Sequence, residues 1–293
     1  MDLLSDLLST FRLSASIFHN AQYYGDWSIH QEYKGITFHM ISHGKCWLHI
    51  DNSSQHIKAS TGDILLFPRE VAHSFSKTKE SGSETIDVCP LDYSSGVKKG
   101  STGLFCGHMY FDHSGIEPLL KNLPEVIILR RHKGNDQWIK PLLVILENEH
   151  QRDNSGQKIV FDKLAEIIFV QSIRAYIADN DQDVGIIAAL SDTKLSKALT
   201  LIHEQPSTKW TVDSLASNIG MSRSNFAEHF KRVLNQSPIK YLEWWRMQLA
   251  WNALADKKET IIEVALVSGY SSEAAFSKAF KRVHGVNPGQ VRR

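Results

Sequence analysis

The feature that most constrains this chain is a segment written twice within its C-terminal third. Ala216, Gly220, Ser222, Phe226, Phe230, Lys231-Arg232-Val233 and Pro238 recur as Ala265, Gly269, Ser271, Phe276, Phe280, Lys281-Arg282-Val283 and Pro288. The offset is 49 residues up to the serine and 50 after it, so the second copy carries one extra residue between Ser271 and Phe276. A segment that keeps its glycine, hydroxyl and phenylalanine positions through a duplication is one supersecondary unit used twice.

Each copy has the physical parts of a helix-turn-helix, over 212–233 and 261–283. A first helix (Val212 to Ile219, or Ile261 to Ser268) starts at Thr211, or at the capping box of Thr260 and Glu263. Ala216 or Ala265 lets two helices cross closely, and Gly220 or Gly269 supplies the positive φ of a tight turn. Ser222 or Ser271 is then placed to cap the second helix. Phe226, Phe230 and Val233 lie at i, i+4 and i+7, as do Phe276, Phe280 and Val283, so one face is core and the other is free.

Charge supports a polyanionic partner for this end. Residues 1–185 contain 18 Lys+Arg against 23 Asp+Glu, whereas residues 186–293 contain 15 against 9. A net of −5 on one part and +6 on the other hides behind a total of +1, and the basic part carries the repeat.

Residues 186–293 closely resemble the DNA-binding domain of the AraC/XylS family of bacterial regulators. The resemblance rests on Trp210-Thr211-Val212, Tyr241-Leu242, Trp245-Arg246-Met247, Ile262-Glu263-Val264-Ala265, Gly269-Tyr270-Ser271, the run Ala275 to Arg282, and Pro288. His284 and Val291 depart from the family pattern at positions that concern C-terminal packing. The resemblance implies a rigid helix, Ile239 to Ala255, that holds two recognition helices in successive major grooves about 34 Å apart. It also makes Trp244, Trp245 and Trp251 packing residues rather than base-stacking ones. Base-edge contacts are then expected from Arg223, Ser224, Asn225, Ala227 and Glu228, and from Ser272, Glu273, Ala274, Ser277 and Lys278. Arg suits guanine, Asn adenine, and Glu accepts from cytosine. Lys231, Arg232, Lys281 and Arg282 suit phosphates or solvent.

Upstream the pattern changes. Met1 to Phe11 has Leu3, Leu4, Leu7, Leu8 and Phe11 at helical spacing. Short β-type runs follow at Ile36–Ile41, Cys46–Ile50, Asp63–Phe67, Thr85–Val88, His108–Phe111 and Val126–Leu129, which predict an antiparallel barrel or sandwich. Helices are expected over Asp136–Gln151 and Gln157–Tyr176. The second has more apolar positions than one stripe needs, which points to a homodimer contact. The fold class expected is therefore α+β in two domains: an antiparallel β-barrel with helices over 1–180, a linker over 181–190 with its polar part at Asn180–Gly185, and an all-α tandem helix-turn-helix domain over 191–293.

Gly62 to His73 resembles the second motif of a cupin barrel, in which Gly makes the turn, Pro68 ends the strand and His73 faces inward. His39-Met40-Ile41-Ser42-His43-Gly44 with Trp47-Leu48 stands where the first motif belongs, without its His-x-His pair or its glutamate. With Cys106-Gly107-His108, Phe111-Asp112 and Leu119-Leu120 to Pro124, this resembles the cupin-type sensor half of a subset of AraC-like regulators. The resemblance implies binding of a small-molecule effector and, as the commoner mode, activation through RNA polymerase. The alternative is a cupin metalloenzyme carrying a DNA-binding appendage, which the missing metal triad disfavours.

Two readings of the barrel interior stand. Residues i and i+2 on a strand share a face, so Cys106 and His108 can point inward together. His39 and His43 are about 13 Å apart on one strand, so one of them, His39, joins the site. With His73 these make either the lining of an organic-effector pocket, which is favoured, or a Cys-His₃ set for zinc or another divalent metal. Cys89 and Cys106 lack an adjacent Lys or Arg to lower a thiol pKa, which disfavours a redox role. Three cysteines argue against a disulfide framework. No apolar run reaches the ~18 residues a membrane helix needs, and Asp2 and Asp6 do not fit a secretory leader, so the expected location is the cytoplasm.

Overall fold

The computed structural model describes residues 2–31, 35–51, 53, 55–80, 96–112, 114–151, 155–179 and 185–292. The expected strand Thr85–Val88, Cys89 and residues 181–184 of the expected linker lie outside the described residues. The chain divides into two compact units: Leu13–Tyr110 with Leu123–Asp179, and Met1–Arg12 with Phe111–Asn122 and Asn180–Arg293.

The first unit is built on two antiparallel sheets. Strands β1 (Ser14–Tyr23), β3 (Ile36–His43), β6 (Ile64–Phe67), β8 (Thr102–Tyr110) and β9 (Ile127–Leu129) form one, in the order β1-β8-β3-β6-β9. Strands β2 (Ser28–Gln31), β4 (Lys45–Ile50), β5 (His56–Ser60) and β7 (His73–Ser76) form the other, in the order β2-β7-β4-β5. Alternation places Leu48, Phe75, Ile41, Phe67, Leu104 and Cys106 with Trp27 in one buried cluster. The opposite face of the larger sheet is covered by α4 (Gln157–Asp179), which buries Phe161, Leu164, Ile168 and Phe169. Phe105 meets Phe161 edge-on with ring centroids 5.4 Å apart. A side chain at Gly107 would collide with the Phe38 ring, so close approach on this face demands glycine.

The cupin-like turn is held by Asp63, which is buried. Its carboxylate accepts from the Ser60 and Arg131 amides and from the Arg130 guanidinium at 2.8 Å, while Gly62 takes φ +85°. Helix α3 (Asp136–Gln151) begins and ends where the spacing predicts.

The second unit is helical. Helix α1 (Leu3–Thr10) is capped by Asp2 and buries Leu3, Leu4, Leu7 and Leu8. It packs on α6 (Thr193–Glu204) and α9 (Pro238–Ala255). Asn252 donates to the Thr10 carbonyl at 2.7 Å, Arg12 pairs with Asp256 at 2.6 Å, and Phe11 lies 5.8 Å from Trp244. The N-terminal helix thus buries its leucine stripe in the unit that carries the repeat, although it precedes the barrel in sequence. Helix α2 (Glu117–Leu120) and α5 (Ile186–Ser191) belong to the same unit.

Candidate functional site

The two copies of the repeat fold as α7 (Val212–Asn218) with α8 (Arg223–Leu234), and α10 (Ile261–Val267) with α11 (Glu273–His284). Thr211 and Thr260 both make capping boxes, the first with Ser214 and the second with Glu263. Gly220 and Gly269 adopt φ +65° and +84°. Ser222 caps α8 by accepting from the Asn225 amide. In the second copy the cap is Ser272, which accepts from Ala275, and not the expected Ser271. The extra residue falls inside the turn, so cap and first phenylalanine keep one separation in both copies, Ser222 to Phe226 and Ser272 to Phe276.

Phe226, Phe230, Phe276 and Phe280 are fully buried. On the opposite side Arg223, Ser224, Asn225, Glu228, Lys231 and Arg232 are exposed and Ala227 is half-buried. The second helix exposes Glu273, Ala274, Lys278, Lys281 and Arg282, with Ser277 half-buried and the exposed Ser272 engaged as cap. With the caps aligned, Ser224, Glu228 and Lys231 correspond to Ala274, Lys278 and Lys281, opposite the phenylalanines on each helix. The centre of the free face changes from Glu228 to Lys278.

Not every cation there is uncommitted. Arg282 pairs with Glu243 of α9, and Arg232 donates to His229 Nδ1 at 2.9 Å. His229 in turn meets the Asp192 cap of α6 at 2.7 Å. Trp245 is buried and its ring stacks on His203 at 3.7 Å, while Trp251 stacks on Phe280 at 6.0 Å. His284, one of the departures from the family pattern, contacts the Met247 carbonyl at 3.0 Å and packs beside Trp251.

In the barrel, cross-strand register assembles a row that sequence spacing could not reveal. His19 lies opposite Cys106, and Cys106 lies opposite His39. The register shift between Ile17 and His19 leaves Phe18 out of the ladder, where its ring packs at a tilt against His108 with centroids 4.4 Å apart. His19, overlooked in the sequence, reaches Tyr23 OH at 2.8 Å. Gly44 takes φ +79° directly after His43, so His43 ends its strand at the turn.

His39 Nε2 lies 2.9 Å from His73 Nε2, and His73 Nδ1 lies 2.7 Å from the Val71 carbonyl. Burial, reinforced by the neighbouring His73, His19 and His108, holds the His39 pKa well below the usual imidazole range. Burial takes that of His73 down to about 4.

The Cys-His₃ metal set does not fit this arrangement. Among the described residues no three His, Cys, Asp or Glu side chains converge as metal ligands. Cys106 packs in the apolar cluster, where burial and then Cys46 push its thiol pKa up. His108 packs at a tilt between the rings of Phe18 and Tyr110. Only His39 and His73 come together directly.

Among the described residues no helix is long and apolar enough to cross a membrane. A family model described as Cupin matches residues 2–178, and one described as Helix-turn-helix domain matches 215–293. An uncharacterized HTH-type transcriptional regulator of Haemophilus influenzae is 31% identical over 100% of this chain and 99% of its own length. The HTH-type transcriptional regulator AlkR of Acinetobacter baylyi is 31% identical over the same shares. The RCS-specific HTH-type transcriptional activator RclR of Escherichia coli is 27% identical over 100% of this chain and 97% of its own. With the paired capped helices and the cupin region in one chain, these matches identify it as a member of the AraC-like family of HTH-type transcriptional regulators.

Proposed function

We propose that the protein is an effector-responsive transcription activator acting in the cytoplasm, whose α8 and α11 read two different base motifs in successive major grooves. The observation that carries this reading is the pair of capped helices with buried phenylalanines and exposed, non-identical outer faces. A carboxylate at Glu228 and an ammonium at Lys278 favour different base edges, since one accepts and the other donates. Arg223, Ser224, Asn225 and Ala227 serve the first motif, and Glu273, Ala274 and Ser277 the second. Lys231 and Lys281 add phosphate contacts. Activation, supported by the named activator among its relatives, requires a further contact with RNA polymerase.

The effector is a small organic molecule received at the barrel end lined by His39, His73, His19 and His108. Neutral imidazoles offer both a donor and an acceptor, and the half-buried His108 and His19 lead from solvent toward the buried pair. Exposed Ile159 and Ile167 on α4, with Val144 and Ile145 on α3, support a homodimer through these helices.

The test is selection from a random duplex pool by the full-length protein. Two unlike motifs with centres about 10 base pairs apart are expected. No enrichment, or one motif repeated identically, would overturn the reading.

A further inference from the structure

The outer face of the four-stranded sheet carries a second group of histidines, separate from the barrel interior. Leu48, Ala59 and Phe75 point into the core, so their strand neighbours His49, His56 and Ser74 point outward. Register aligns His30, Ser74, His49 and His56 in one row across β2, β7, β4 and β5. His49 Nδ1 lies 2.7 Å from His56 Nδ1, and His30 Nε2 lies 3.8 Å from Asp51. Ser74 Oγ, buried between His30 and His49 in the row, has no hydrogen-bond partner among the described residues.

The hydrogen bonds decide which nitrogen of His49 carries the proton. The Ser76 hydroxyl has a single proton and donates it to the Thr78 carbonyl at 2.6 Å. It can therefore only accept from His49 Nε2, 2.6 Å away. His49 carries its proton on Nε2, and its Nδ1 lone pair is aimed at His56. A bonded ring N–H that fixes the tautomer is the usual support of a metal-bound imidazole.

We propose that His49 Nδ1 and His56 Nδ1 form a two-imidazole site for a divalent transition-metal ion of borderline softness, zinc being the test case, on the outer face of this sheet. The ion replaces the proton shared between the two rings, and His56, being exposed, moves its own proton to Nε2. Two nitrogens bound tetrahedrally to zinc stand about 3.3 Å apart, so the 2.7 Å pair opens slightly by rotation of the exposed ring. No third side chain converges there among the described residues, and water completes the coordination shell. The bound ion pins β5 to β4.

Untagged full-length protein is titrated with zinc against a chromogenic chelator, and its melting temperature is followed at the same time. One equivalent is expected to bind and to raise the melting temperature. His56→Ala, at an exposed position, should weaken binding at least tenfold and abolish the thermal shift, whereas His39→Gln in the barrel should leave both unchanged. His49→Gln should also lose the site, with its fold checked by circular dichroism. Wild-type zinc affinity in His56→Ala, or loss of zinc in His39→Gln, would overturn the proposal.

Discussion

The guanidinium of Arg246 lies directly against Gly269, where a Cβ would stand 3.1 Å from Nη1. The same side chain donates to the Pro206 carbonyl at 2.6 Å and the Thr208 carbonyl at 2.9 Å, in the loop before the first helix-turn-helix. Glu243, one turn earlier on α9, meets Arg282 and Tyr270 of the second. One helix thus holds the loop before the first motif and the turn and last helix of the second through a cation and an anion. Arg246, although basic and in the DNA-binding half, is a positioning residue.

Gly269→Ala is expected to destabilise the protein more than Gly220→Ala. Both force alanine into a left-handed conformation at about 1–2 kcal/mol, but the nearest contact at Gly220 is the flexible Lys194 tip at 3.7 Å. The excess at Gly269 should vanish in an Arg246→Ala background, as urea unfolding in a double-mutant cycle would measure. Equal losses at both glycines would refute the contact.

Ser272→Ala should cost about 1 kcal/mol through loss of the α11 cap, and Ser271→Ala close to nothing. The reverse ranking in thermal unfolding would restore the cap expected from sequence.

Arg223→Ala should relax preference at a single base position, costing about 1–3 kcal/mol on the selected site and little elsewhere. Lys281→Ala should weaken all sequences alike and flatten the salt dependence. Fluorescence anisotropy on matched and substituted duplexes separates the two.

Ile159→Glu with Ile167→Glu should convert a dimer to a monomer in sedimentation, because both side chains are exposed on α4 while its opposite face is buried on the sheet. Unchanged sedimentation would remove α4 from the interface.

Acid should destabilise the fold between about pH 6.5 and 4. Burial takes the pKa of His73 to about 4 and that of His203 to about 3, against about 6.5 when unfolded. Below pH 6.5 the unfolded chain binds protons that the folded one refuses, so stability falls as pH falls, by up to ~1.4 kcal/mol per unit for each group. His73→Gln should flatten the slope. A melting temperature constant from pH 7 to 4.5 would contradict the burial of neutral imidazoles.

The four helices of the two helix-turn-helix motifs, their turns and three of their four N-caps could be read from the amino-acid order, because capping, positive φ and i, i+4 packing are local and depend on residues within one or two turns. The strands Ile36–His43, Lys45–Ile50 and Ile64–Phe67 were legible for the same reason, through their apolar and β-branched runs. Ser14–Tyr23, Ser28–Gln31, His56–Ser60 and His73–Ser76 escaped, since serines and histidines occupy many of their positions and their burial is conferred by the partner strand. Tertiary structure alone decided that the inserted residue moves the cap to Ser272. It also decided that Met1–Arg12 joins the helical unit, that His19, Cys106 and His39 share one row, and that His49 meets His56. These last three depend on register or on packing between segments far apart in the chain, and in a sheet a shift of one residue turns every side chain to the other face.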